Sequence, residues 1–221
     1  MTMPSAAQAL ALDADGYAIL RGAIPRAWIA HLRSCFDANV LAADAWPVPR
    51  GHGLRHAMVE GDAAVQRTCR LPVLLAAAAR FLRQPFFLAQ VEGREPLADN
   101  GAQLLHRDGG GDVRGQIVSA LAFLDDYGPA NGATQLVPGT HRSDDPSDVG
   151  VHPRAVTLSG EAGDILVFDA DLLHGGTRNT SGERRRSLLI SYFAEPMRKD
   201  HIATVGLRGV RMPPSETFGA H

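Results

Sequence analysis

His106, Asp108 and a distant histidine, His174, are residues whose types and spacing could bind a metal ion. In an extended segment residues i and i+2 point to the same side, so His106 and Asp108 can direct an imidazole and a carboxylate at one point. His174 would complete a set of two imidazoles and one carboxylate. Such a set leaves about three positions of an octahedral ion open, which is typical of non-heme Fe(II) oxygenases. The residues therefore predict an open metal site.

The second half of the chain has the pattern of a β-rich core that could position these ligands. Short apolar runs are separated by clusters of Gly, Pro, Asn and Asp, as in a sandwich, jelly roll or barrel. The candidate strands are residues 86–91, 102–106, 116–124, 134–137, 155–158, 165–168, 172–174 and 187–193.

The first 84 residues have mainly helical patterns. We expect a helix at 5–12, a short strand at 17–20, a helix from Pro25 that continues through Val40 and Leu41, and two helices within 62–82 that Pro72 divides. The prolines and glycines of residues 46–58 predict irregular structure there. We expect one domain over 1–221, with a helical part (1–84), a β core (85–195) and a tail (196–221) to which no element is assigned.

Composition narrows the class of protein. The 221 residues are 45% hydrophobic, with 22 basic and 24 acidic side chains, so a generic basic surface for nucleic acid is not expected. The N-terminus lacks the pattern of a signal peptide, and no run reaches the ~18 apolar residues of a membrane span. Cys35 and Cys69 are expected to be reduced, buried thiols. These features predict a cytoplasmic protein that binds neither nucleic acid nor membrane.

Four further motifs follow in order, and together they resemble a known family. NGATQLVPGTHR covers residues 131–142, AGDILVF covers 162–168, HGGTRN covers 174–179, and Arg185 follows the last of these. With the His-x-Asp of residues 106–108, this order is similar to that of the phytanoyl-CoA dioxygenase-like family of Fe(II)/2-oxoglutarate-dependent oxygenases. The resemblance covers roughly residues 85–195.

The resemblance implies a mainly β fold, a double-stranded β-helix (jelly-roll, cupin-like) core preceded by N-terminal helices. It implies that His106, Asp108 and His174 bind Fe(II), with 2-oxoglutarate and O2 as co-substrates. Because halogenating relatives lack this carboxylate, the presence of Asp108 favours hydroxylation over halogenation. Arg185 would bind the distal carboxylate of 2-oxoglutarate, since a guanidinium pairs bidentately with a carboxylate and stays charged when buried. Arg184 and Arg186, which would face the other way on a strand, remain alternatives.

Other polar residues could complete the site. Candidates to help hold 2-oxoglutarate, for which a surface position is an equal alternative, are Gln103, Gln116, Ser119 and Thr134. Candidates to bind a polar or anionic substrate, which could instead be solvated basic residues, are Arg50, His52, Arg55, His56 and Arg94. The residues expected to stabilise turns are Asn131, His141 and Asp164.

The predicted reaction is hydroxylation of an unactivated C–H bond in a small polar or biosynthetic metabolite, with release of succinate and CO2. Desaturation and ring chemistry remain open, and the oligomeric state cannot be deduced. The alternatives are a cupin-like Zn-dependent hydrolase or isomerase, which would not consume O2, and a non-catalytic jelly-roll module that binds a metal or another ligand.

Overall fold

The computed structural model of the protein describes residues 3–48, 50–109, 114–212 and 216–219. Its five α-helices are α1 (Ala6–Asp15), α2 (Arg26–Ala38), α3 (Ala63–Thr68), α4 (Pro72–Leu82) and α5 (Arg198–Thr204). Ser5 begins α1 with a capping box that it shares with Gln8, and Pro72 occupies the first turn of α4. In the described part of the chain, no helix combines the length and apolar character needed to cross a bilayer.

Within the described residues, ten strands form two antiparallel sheets. They are β1 (Tyr17–Leu20), β2 (Val40–Leu41), β3 (Leu54–Ala57), β4 (Phe86–Pro96), β5 (Ile117–Phe123), β6 (Thr134–Leu136), β7 (Val156–Thr157), β8 (Ile165–Asp169), β9 (His174–Gly176) and β10 (Ser187–Ala194). The larger sheet has the order β1-β8-β5-β10-β4-β3-β2, and the smaller sheet has the order β7-β6-β9. Two facing antiparallel sheets with helices on the outside confirm the predicted jelly-roll fold.

The large sheet separates two apolar cores. Because side chains alternate between the faces of a strand, Val118, Ala120 and Ala122 of β5 face the helices, whereas Leu121 and Phe123 face the small sheet. The helix-side core includes residues of α2, α3 and α4. The core between the sheets includes residues of β6 and β8. The large sheet therefore presents one face to the helices and the other to the space that contains the site.

Several local predictions differ from the structure. Val40 and Leu41 are not helical but pair with Ala57 and His56, and residues 54–57 are not irregular but form β3. The first 84 residues consequently contribute β1, β2 and β3 to the large sheet, in addition to helices. These pairings join segments that are distant in the chain, so local helical or irregular patterns do not reveal them. The tail also has structure, namely α5 and a bridge between Phe218 and Phe86.

One predicted strand, at residues 102–106, is reduced to two isolated bridges. Leu105 pairs with Val149, and His106 pairs with His174, which extends the smaller sheet beyond β9. The thiols of Cys35 and Cys69 are buried and free, as predicted.

Candidate metal centre and co-substrate cavity

Two imidazoles and one carboxylate meet in a single cluster. Ligand atoms of His106, Asp108 and His174 all lie within 4.8 Å of one another. Nε2 of His106 is 3.6 Å from Oδ1 of Asp108, and Nε2 of His174 is 3.4 Å from Oδ2 of the same carboxylate. The carboxylate therefore faces both rings, with one oxygen near Nε2 of each histidine.

The backbone brings the two histidines together. His106 and His174 exchange backbone hydrogen bonds with N–O distances of 2.9 and 3.0 Å. Nδ1 of His106 is 2.8 Å from the carbonyl oxygen of Leu104, and Nδ1 of His174 is 2.9 Å from that of Leu172. A carbonyl at Nδ1 requires the proton on that nitrogen, which leaves Nε2 free to bind a metal.

Arg107, between the two ligands of the His-x-Asp segment, anchors that segment. Its Nε donates to the carbonyl of Asp171 at 2.8 Å, and its Nη1 donates to the carbonyl of Asp145 at 2.7 Å. The backbone N–H of Asp108 donates to the carbonyl of Ala170 at 2.9 Å. These bonds attach the segment to the end of β8 and to the loop that follows β6.

The electrostatics of the cluster suit a divalent cation. Burial opposes ionisation of Asp108, but hydrogen bonding and charge from His106 and His174 hold the pKa of its carboxyl well below the usual range. The bond to Asp108 raises the pKa of His106, and partial burial opposes that rise. Two nitrogen ligands and one carboxylate oxygen with a free side match the facial set that binds Fe(II). The residues present therefore fit this ion.

A cavity of about 550 Å³, part of it open to solvent, extends from the cluster. Its lining includes the three candidate ligands, the apolar side chains Leu54, Leu121, Phe168 and Leu189, and the polar residues Arg94, Gln103, Thr134, Arg185 and Ser187.

Arg185 contributes a buried positive charge to this cavity. Arg185 is only 6% exposed, and its guanidinium carbon lies 4.5 Å from the centre of the Tyr127 ring. Among the described residues, no carboxylate lies within 4.0 Å of it. A buried guanidinium is costly without a partner, so this position favours an anionic ligand.

The neighbouring arginines point away from the cavity. Arg184 pairs with Glu95 at 2.6 Å and with Asp37 at 2.8 Å. Arg186 pairs with Asp125 and with Asp37, both at 2.8 Å. Of the three consecutive arginines, Arg185 is the one that lines the cavity, as the predicted alternation requires.

The predicted polar helpers divide into two groups. Gln103 and Thr134 line the cavity, and Oε1 of Gln103 accepts a hydrogen bond from the backbone N–H of Gly176 at 3.1 Å. Gln116 and Ser119 are not among the residues that line it. Gln116 precedes β5, and Ser119 is buried on the same face of β5 as Leu121. A contact of either with 2-oxoglutarate stays a prediction.

Of the predicted substrate-binding residues, Arg94 lines the cavity. Arg50 and His56 are not among the lining residues but lie beside Glu92. Arg50 pairs with the Glu92 carboxylate at 3.0 Å, and Nδ1 of His56 is 3.8 Å from the same carboxylate. The alternation of β3 places Arg55 on the opposite face, where it pairs with Glu95 at 2.7 Å. The exposed His52 also lies outside the cavity lining. Of the five residues the structure brings Arg94 alone to the cavity lining, and a substrate-binding role for the other four stays a prediction without support from this geometry.

The residues expected to stabilise turns have different surroundings. Asn131 bonds to the backbone of Gly128 and Asp126, and Asp164 accepts from the backbone N–H of Gly22 at 2.8 Å. His141 is buried and packs closely against Gly16.

Glu92 is a residue that the sequence interpretation missed. Its side chain is 3% exposed, and it contacts Arg94, Arg50 and Gln90. Burial opposes its ionisation, but the neighbouring His56 and the charges of Arg94 and Arg50 lower the pKa of its carboxyl to about 2. The available signal was the i, i+2 spacing of Gln90, Glu92 and Arg94, which puts three polar side chains on one face of a strand that begins with four apolar residues.

The jelly-roll fold and the His-Asp-His cluster define the class of Fe(II)- and 2-oxoglutarate-dependent dioxygenases. The chain belongs to the phytanoyl-CoA dioxygenase family, whose model matches residues 12–187. The predicted family and class are thereby confirmed, and Fe(II) and 2-oxoglutarate are the cofactor and co-substrate of that class.

Individual relatives match parts of the chain. Dioxygenase aneA of Aspergillus aculeatus is 36% identical over 98 residues, covering 39% of this chain and 33% of its own length. L-proline trans-4-hydroxylase of Streptomyces griseoviridis is 25% identical over 177 residues, covering 62% and 65% of the two chains. The crystal structure of HygX from Streptomyces hygroscopicus, with nickel and 2-oxoglutarate bound, shares the fold with a TM-score of 0.72 and 17% identity, covering 87% of this chain and 88% of HygX.

Proposed function

We propose that the protein is an oxygenase that couples oxidation of 2-oxoglutarate to hydroxylation of a C–H bond in a small metabolite. In this reaction 2-oxoglutarate, O2 and the substrate give succinate, CO2 and the alcohol, with one oxygen atom in succinate and one in the alcohol. The observation that carries the proposal is the shared cavity: three ligand-type residues and a buried guanidinium without a carboxylate partner among the described residues line one space.

The residues have separate roles in this proposal. His106, Asp108 and His174 would hold Fe(II), and Arg185 would bind the distal carboxylate of 2-oxoglutarate. When bound, Fe(II) and 2-oxoglutarate supply the oxidising chemistry with O2. Gln103 and Thr134, which line the same cavity, would help to hold the co-substrate.

The apolar part of the cavity would position the substrate and exclude water. Leu121, Phe168 and Leu189 line the cavity, and the ring of Phe168 lies 4.7 Å from that of His174. Apolar side chains next to this candidate ligand would limit the access of water to the site. A misplacement of the target carbon by ~1 Å could cost ~100-fold in rate.

Two relatives support the proposal at the level of chemistry. One is named L-proline trans-4-hydroxylase, and another from Aspergillus novofumigatus is named an Fe(II)/2-oxoglutarate-dependent dioxygenase. A Zn-dependent hydrolase would have no use for the buried guanidinium of Arg185. A non-catalytic module would not need all three candidate metal ligands. The observations therefore favour the oxygenase.

The test is succinate formation by the purified protein with ascorbate, O2 and 2-oxoglutarate. Separate samples are loaded with Fe(II) or Zn(II), since both ions bind sets of His and Asp. The proposal predicts succinate with Fe(II) and none with Zn(II). Absence of succinate with Fe(II), alone and with a metabolite extract, would contradict it.

A further inference from the structure

Arg94 forms a second cationic position in the cavity, distinct from Arg185. It lies on β4 opposite Ser187 of β10, on the same sheet face as Leu189. Its side chain is 31% exposed, so it lies at the more open part of the cavity, beside Leu54. A ligand group bound to Arg94 would therefore lie on the β3–β4 side of the cavity.

Glu92 holds Arg94 by one edge. Oε1 of Glu92 accepts from Nε of Arg94 at 2.7 Å, whereas Oε2 accepts from Arg50 at 3.0 Å and from Gln90 at 3.1 Å. The two terminal nitrogens of Arg94 have no hydrogen-bond partner among the described residues. The guanidinium is thus fixed in orientation while it retains a free pair of N–H donors, the geometry that a carboxylate accepts bidentately.

The charges of this face leave a surplus of positive charge. Arg94 and Arg50 share the single carboxylate of Glu92, and Arg185 has no carboxylate partner among the described residues. In the proposed function 2-oxoglutarate brings two carboxylates, of which one would pair with Arg185 and the other would face the metal. With one carboxylate for the two arginines, Arg94 and Arg50 would therefore keep a surplus of one positive charge after the co-substrate binds.

From this geometry, we infer that the substrate carries a carboxylate, which Arg94 binds while Glu92 holds the guanidinium in place. The inference rests on the proposed function and names the class of its substrate. Arg94 thereby becomes a specificity-determining residue, and Glu92 a positioning residue.

The first experiment asks which ligand Arg94 serves. Fe(II)-loaded protein is titrated with 2-oxoglutarate under anaerobic conditions, for wild type, Arg94→Gln and Arg185→Gln. Loss of a hydrogen-bonded charge lowers affinity by about 10- to 100-fold, which we expect for Arg185→Gln but not for Arg94→Gln. A comparable loss in Arg94→Gln would assign Arg94 to 2-oxoglutarate and overturn the inference.

The second experiment tests the carboxylate itself. A small-molecule extract of the native host is added to the succinate assay, before and after acid-catalysed methyl esterification, which blocks carboxylates. We expect the untreated extract to stimulate succinate formation and the esterified extract to lose most of that effect. Stimulation that survives esterification, or its absence with both preparations, counts against the inference.

The variants give this second experiment its controls. Arg94→Gln should reduce stimulation by the untreated extract by about tenfold. Arg55→Gln, which removes an arginine on the opposite face of the neighbouring strand, should retain it. Glu92→Gln should raise the amount of extract needed for half-maximal stimulation more than it lowers the maximum. Equal stimulation of wild type and Arg94→Gln by the extract would contradict the inference. Succinate formation by wild type without extract tests the proposed function separately.

Discussion

Oδ2 of Asp108 lies 3.4 Å from Nε2 of His174, although the two residues are far apart in the chain. His174 begins β9, and Asp108 follows the segment that pairs with it. A pair of backbone hydrogen bonds between His106 and His174 produces this proximity. The fold therefore brings the ligand set together, and the role of the carboxylate and of each imidazole can be tested by substitution.

Removal of one ligand should abolish metal-dependent turnover while the fold persists. In Asp108→Ala and His174→Ala, one of the three groups that would hold the ion is lost, and neither side chain belongs to the apolar cores. We expect less than about 1% of wild-type succinate formation, with a far-ultraviolet circular dichroism spectrum like that of wild type. Full turnover in either variant would show that the metal site is assigned wrongly.

Arg185 and Arg184 should differ sharply in their effect on 2-oxoglutarate. Arg185→Gln removes the cation inside the cavity, whereas Arg184→Gln removes one that pairs with Glu95 and Asp37 outside it. The KM for 2-oxoglutarate should rise about 10- to 100-fold in the first variant and little in the second. A larger rise in Arg184→Gln would transfer the role to that residue.

Glu92 should make the protein sensitive to acid. Its pKa is lowered to about 2 from an ordinary 4.5, so the stability it contributes is complete above about pH 4.5 and is lost as the pH falls towards 2. The difference corresponds to about 3 kcal/mol at most. Urea midpoints at pH 7 and pH 3 should therefore fall less in Glu92→Gln than in wild type. The exposed Glu161→Gln provides the control, and an unchanged acid sensitivity in Glu92→Gln would disprove the prediction.

Asp169 should have the opposite pH dependence. Burial first, and then the charge of Asp171, raise the pKa of its carboxyl from 3.8 to about 6, although the backbone N–H of Asp171 opposes this rise. The folded state loses stability as the pH rises from about 4 through 6, by about 3 kcal/mol at most. Asp169→Asn, which keeps an oxygen for that N–H, should be more stable than wild type at pH 8 and similar at pH 4. Urea unfolding at both values tests this, and equal stability at pH 8 would be inconsistent with it.

The sequence predicts the β core and the proximity of His106 and Asp108 because both depend on local signals, whereas the place of His174 beside them follows from the order of the family motifs. Short strands with turn residues between them define the jelly roll, and the His-x-Asp spacing needs only an extended backbone. The alternation expected of a strand also separates Arg185 from its neighbours, and in the structure both neighbours pair with Asp37 outside the cavity.

Features that depend on distant pairings could not be predicted in this way. Residues 54–57 become a strand because they pair with β4, and this pairing turns His56 inwards and Arg55 outwards. The bonds between Glu92, Arg94 and Arg50 likewise join two segments. A buried polar side chain in a strand implies a buried hydrogen-bonding or charged partner, but only the folded structure shows which residue that partner is.

The most direct test of the central claim is the fate of O2. The Fe(II)-loaded protein is supplied with 2-oxoglutarate under ¹⁸O2, and the succinate is analysed by mass spectrometry. If the protein is a 2-oxoglutarate-dependent oxygenase, succinate should contain one ¹⁸O atom, and the label should disappear together with turnover in His174→Ala. Unlabelled succinate, or labelled succinate in equal amounts from that variant, would contradict the account.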